Sequence, residues 1–114
     1  GLVVYRFGAP LYFANGTLFL DEVEQILSRA PRPVRWFVLD AEAMVDVDTT
    51  GSEVLKQAIA LLGKRNITFA VSRAHPSFRT WLEKYELLQL IDPNRFYPTN
   101  RHAAAAFRQE GSTP

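Results

Sequence analysis

Residues 46–53, Asp-Val-Asp-Thr-Thr-Gly-Ser-Glu, concentrate carboxylates and hydroxyls in one short stretch. Three kinds of chemistry could use it. Asp46 and Asp48 set two carboxylates beside the Thr50 hydroxyl, residue types that serve nucleophilic or acid–base catalysis. Thr50 and Glu53 have the spacing of a helix capping box, in which hydroxyl and carboxylate each satisfy a backbone amide. Thr49 then stands before a helix N-terminus with its hydroxyl uncommitted. Such a terminus suits a phosphate, bound or covalently attached. The candidate anion site is Asp48, Thr49, Thr50, Gly51 and Ser52, with Asn15 and Arg73 as outlying additions.

The elements flanking this stretch must hold it at the end of a sheet. Val34 to Leu39 is a dense apolar run, predicting a central strand buried on both faces. Val54/Leu55, Ala58/Ile59 and Leu61/Leu62 form one helical stripe after the turn, closed by Gly63. Leu2 to Phe7 and Ile67 to Val71 predict further strands. Gly8-Ala9-Pro10 is read as a turn, with Leu11 to Ala14 pairing back on the first strand as a hairpin. Asn15 caps a helix carrying Phe19, Val23, Ile26 and Ala30, which ends before Pro31-Arg32-Pro33. Pro76 opens a helix faced by Phe78, Trp81/Leu82 and Tyr85. A short strand is expected at Arg95-Phe96-Tyr97, and Thr99 or Asn100 caps a last helix through Phe107. The class is α/β with about four helices and a small mixed sheet, antiparallel at the opening hairpin and parallel elsewhere. Loops after Phe13, Leu39 and Val71 then share one sheet edge, where ligands of such folds bind. Met44, Val45 and Val47 are expected to turn inward.

The 114 residues make one domain, read as residues 1–109 followed by a disordered tail at 110–114. Thirteen Lys and Arg against twelve Asp and Glu leave a net charge of +1, which gives no electrostatic argument for nucleic acid or an anionic membrane. Without cysteine there is no disulfide framework and no thiolate metal site. His75 and His102, far apart, are helix-start residues and not metal ligands. The opening Gly1-Leu2-Val3-Val4 lacks a methionine and already reads as a strand, so the chain is expected to be a piece of a longer protein.

Asp48-Thr49-Thr50-Gly51, placed after Val34 to Asp40, resembles the D-S/T-S/T-G turn of the STAS domain. That module is shared by sulfate transporters and anti-sigma factor antagonists. Tyr5-Arg6-Phe7 followed by Pro10-Leu11-Tyr12-Phe13-Ala14-Asn15 is similar to the start of the STAS domain in SulP-type anion transporters. Phe96-Tyr97-Pro98-Thr99 leading into Ala103 to Phe107 is similar to the family's closing helix. The resemblance implies a non-enzymatic regulatory domain on the cytoplasmic side of an inner- or plasma-membrane transporter. Its partners would be the transmembrane part, a cytoplasmic regulatory protein and a nucleotide (GTP, GDP or ATP), with no obligatory cofactor and no nucleic acid. The resemblance to the antagonists implies, as the alternative, phosphorylation at Thr49. Asp46-x-Asp48-x-Thr50 also resembles the motif of haloacid-dehalogenase-type phosphatases, which implies Asp46 as nucleophile, Asp48 as general acid and base, and Mg²⁺ held nearby. Ala41 to Met44 separate it from the strand, however, and no later paired aspartates complete a metal site.

Overall fold

A computed structural model describes residues 1–111. Four strands, β1 (Leu2–Arg6), β2 (Trp36–Asp40), β3 (Thr68–Ser72) and β4 (Phe96–Tyr97), form one sheet in the order β1-β2-β3-β4. All neighbours pair in parallel, with Leu2 opposite Trp36, Trp36 opposite Thr68, and Val71 opposite Phe96. Parallel neighbours need long crossovers. These are supplied by α1 (Gly16–Arg29), α2 (Thr49–Lys64) and α3 (Pro76–Lys84), while α4 (Asn100–Gly111) closes the chain.

The mixed sheet is therefore corrected to an all-parallel one, because the opening hairpin does not form. Pro10 has no N–H for an antiparallel ladder. Asn15 Nδ2 donates to Pro10 O at 2.8 Å and its Oδ1 accepts from the Tyr12 amide at 2.8 Å, gathering residues 10–15 into a compact loop. Phe13–Asn15 is a short 3₁₀ turn, and Leu11 makes one parallel bridge to Val47. Asn15 precedes α1 but spends its side chain on this loop, without capping the helix.

β2 is buried along its whole length, as its apolar run predicts. Phe37 and Leu39 face the main core with Phe19, Val23, Leu55, Leu62, Phe78 and Leu82. Trp36 and Val38 face a smaller cluster with Ala70, which α4 closes with Ala103. Met44 and Val47 are buried as expected, whereas Val45 is 43% exposed. Trp81 and Tyr85 are half-buried and stack at 6.0 Å between centroids.

Helix C-termini depart from their expected ends in two places. Gly63 does not end α2; Asn66 takes the left-handed position instead, at φ 57°, a conformation asparagine tolerates. α4 runs to Gly111, past the expected boundary at residue 109, and the rest of the expected tail, 112–114, lies outside the described residues. His75 caps α3, its Nδ1 accepting from Ser77 N–H at 3.1 Å, and Thr99 Oγ1 accepts from His102 N–H at 3.0 Å before α4.

Candidate functional site

The turn between β2 and α2 is locked by Leu11. Leu11 N–H donates to Asp46 O at 3.0 Å, and Asp48 N–H donates back to Leu11 O at 3.1 Å. Gly51 lies against the same carbonyl, so closely that a Cβ there would be 2.2 Å from Leu11 O. Its missing side chain makes room for the chain's own backbone, and no phosphate is needed to explain it.

Asp48, and not Thr50, is the cap of α2. Its Oδ1 accepts from Gly51 N–H at 2.7 Å and its Oδ2 from Phe13 N–H at 2.9 Å. A carboxylate is the stronger partner for helix-terminal amides, carrying charge toward the positive end of the macrodipole. The expected Thr50–Glu53 box does not form, because α2 begins at Thr49 and its cap lies two residues before Thr50. Ser52 is buried, its Oγ donating to Thr49 O at 2.6 Å, so it offers no hydroxyl to a ligand. Thr49 and Thr50 are exposed. Asp46 Oδ2 accepts from Tyr12 O–H at 2.6 Å, and that bond raises the phenol's pKa above its ordinary value. With both Asp48 oxygens on amides, the two aspartates do not converge as nucleophile and acid.

Arg73 belongs to a different cluster at the same edge. Its Nε lies 3.1 Å from each Asp40 oxygen, and one terminal nitrogen donates to Asp40 Oδ2 at 2.7 Å. The other reaches Glu42 at 2.9 Å. Asn100 Nδ2 donates to Asp40 Oδ2 at 3.0 Å, and Ser72 Oγ donates to Asn100 Oδ1. Burial pushes the Asp40 carboxyl up, but hydrogen bonds from Arg73, Asn100 and the Glu42 amide outweigh it and hold the group below its ordinary value. Arg73 adopts φ 54° and donates its amide to Tyr97 O at 3.0 Å, which ties the β3 end to β4.

Asn15 and the Asp48–Ser52 turn are thus brought together through Tyr12 and Phe13, while Arg73 is held away by Asp40. Residue reasoning missed Asp40, Asn100 and Phe13. A charged residue closing a fully apolar strand was the available signal for Asp40. Asn100 had none, since its partner is sixty positions away. Phe13 is 77% exposed beside the turn, with Tyr12, Leu18 and Val45 also exposed. Its backbone is pinned by Asp48, so a bare aromatic ring is presented on a fixed support. Among the described residues no three His, Asp or Glu side chains group to hold a metal.

A turn of this sequence between a buried parallel strand and an amphipathic helix, on a four-stranded sheet with α4 behind it, defines the STAS class. The sequence profile of the STAS domain matches residues 1–103, and the chain belongs to that family. It is 39% identical over 109 residues to a probable sulfate transporter of Mycobacterium tuberculosis, a match covering 96% of this chain and 20% of the relative. The chain thus spans about a fifth of that curated relative's length. A sulfate transporter family protein from Wolinella succinogenes superposes with a TM-score of 0.83 at 17% identity, covering 98% of this chain and 88% of that one. An anti-sigma factor antagonist structure from Thermotoga maritima gives 0.76 at 17% identity, covering 94% of this chain and 87% of that one. Among the described residues no helix is long and apolar enough to cross a membrane.

Proposed function

We propose that this chain is the cytoplasmic regulatory domain of a SulP-type sulfate or anion transporter. It works by docking a protein partner at the edge formed by Phe13 and the Asp46–Ser52 turn, without turnover. The carrying observation is Phe13, a large ring exposed beside the signature turn while its amide is held by Asp48. An aromatic anchor on a fixed backbone loses little entropy on binding, which is the character of interface hot spots. The transmembrane part of the parent and a soluble regulatory protein are the two candidate partners.

Sulfate uptake by the parent transporter carrying Phe13→Ser tests this reading. Docking should weaken about tenfold or more, the usual cost of truncating an aromatic anchor, and uptake should change at unaltered transporter abundance. Unaltered uptake would count against it.

Nucleotide fits the turn less well than a protein partner does. Asp48 already occupies the Gly51 amide, and a triphosphate would meet the charges of Asp46 and Asp48. GTP or ATP at millimolar concentration should therefore leave the amide NMR signals of residues 48–52 in place; saturable shifts there would restore the nucleotide reading. The antagonist-like alternative rests on the exposed Thr49 hydroxyl. It requires a kinase that phosphorylates the domain but not Thr49→Ala.

A further inference from the structure

The net charge of +1 conceals a separation. Residues 7–28 and 36–55 contain no Lys or Arg, yet hold eight of the twelve carboxylates. The rest of the chain is correspondingly basic. Since β1, β2 and β3 start in register and α1 and α2 bring the chain back between them, the ends of these two helices and the starts of these three strands share the edge opposite the Asp46–Ser52 turn.

That edge collects cations from several elements. Arg29 closes α1, with Arg32 and Arg35 in the loop to β2. Lys64 and Arg65 end α2 ahead of β3, and Arg95, although β4 begins only at the level of Val71, reaches back to lie 4.5 Å from the ring centroid of Trp36 at the start of β2. Arg108, in the last turn of α4, joins them, because Arg35 stacks 5.3 Å from the Phe107 centroid and Arg95 pairs with Glu110 at 3.2 Å. Apart from Arg95 these side chains are exposed. Among the described residues Arg29, Arg32, Lys64, Arg65 and Arg108 have no ion-pair partner. Two nearby carboxylates are engaged, Glu110 with Arg95 and Asp92 with the Asn94 amide. The macrodipole accounts for one cation at the end of each helix. It does not account for Arg32, Arg35 or Arg95.

We propose that this basic edge rests on an anionic phospholipid surface. The proposal rests on the transporter reading for its setting beside a bilayer, and on the charge separation for its chemistry. Rings at this edge lie under the cations: Trp36 is 1% exposed beneath Arg95, and Phe107 carries Arg35. They are covered as stacking platforms for nucleic-acid bases, and the cations are spread over separate element ends, as a plane of headgroups requires. The acidic half is repelled by the same surface, which orients the domain with Phe13 and Thr49 facing away from the lipid and so selects the soluble protein from the two candidate partners at Phe13.

Co-sedimentation of the domain with vesicles tests this. Phosphatidylcholine vesicles containing about one-third phosphatidylglycerol should carry it down at low salt, and high salt should release it, as surface-charge attraction requires. Phosphatidylcholine alone should not bind it. At about fivefold per cation near such a surface, Arg29→Gln/Arg32→Gln/Lys64→Gln/Arg65→Gln should lose about two orders of magnitude or more in partitioning. Lys56→Gln/Arg101→Gln, away from this edge, should keep binding, with circular dichroism confirming that both variants are folded. Failure to sediment with anionic vesicles at low salt, equal sedimentation of the quadruple variant, or equally tight binding to duplex DNA or polyglutamate would each overturn the proposal. The uptake assay with Phe13→Ser is independent of these vesicles, so the two readings fail separately.

Discussion

At Gly51 a single added methyl would stand 2.2 Å from Leu11 O, and that oxygen is already fixed by the Asp48 amide. Relief requires the backbone of the loop or of α2 to move. Gly51→Ala should cost about 1–3 kcal/mol, as overpacking does, and lower Tm by several degrees in a thermal melt. Asp40 offers a test by pH. Its folded-state pKa is lowered, so its contribution is present above the unfolded value of about 4 and is lost as pH falls through the folded one. The urea midpoint should drop on acidification below about pH 4, and Asp40→Asn should flatten that limb. At neutral pH the same variant should be less stable by about 1–3 kcal/mol, since Arg73 and Asn100 lose a charged acceptor but Arg73 keeps access to water. A profile identical to the parent's would show that Asp40 does not carry the acid sensitivity.

Among the elements, the helix stops and starts repay attention because sequence spacing located them only to within a few residues. Asp48 and Thr50 are both good caps by type; what decides between them is Leu11, which meets the turn from a distant loop and fixes where α2 begins. Asn66 prevails over Gly63 for a comparable reason: Ile67 N–H reaches back to Leu62 O at 3.0 Å, and the chain must turn left-handed between them. Asn66→Gly should leave stability nearly unchanged and Asn66→Ala should lower it by about 1 kcal/mol, measured by urea unfolding. A harmless alanine would mean that the left-handed turn is not under constraint. The strands, helices and signature turn were legible because each is written in contiguous residues. The absent hairpin, the Asp40–Arg73–Asn100 cluster and the presentation of Phe13 were not, because all three depend on which segments meet across the sheet edge.

For the whole molecule, the two faces of the sheet are unequal. Three helices cover one and α4 alone covers the other, laying Ala103 over Trp36, Val38 and Ala70. Ending the chain before Asn100 should expose that face and produce an aggregating or dye-binding species, seen by light scattering and ANS fluorescence. A monomeric, cooperatively unfolding truncation would contradict this division. Charge behaves in the same way at this scale: a net +1 read from composition gave no argument for an electrostatic partner, whereas the fold separates the charges that composition averages.

The all-parallel sheet also governs how the domain is made. β1 has no neighbour close in sequence; Leu2 waits for Trp36, and Trp36 for Thr68. With no local hairpin to nucleate on, β1 and β2 each wait for a partner more than thirty positions later in the chain. At translation rates of about 5–20 residues per second, the apolar β1 stays unpaired for about 2–7 s while β2 is synthesised. During that interval α1 is the one local element available to shield it, through the same Phe19 and Val23 that later join the core. Substitutions on the inner face of α1 should therefore reduce the yield of nascent chain more than they reduce the stability of the finished domain.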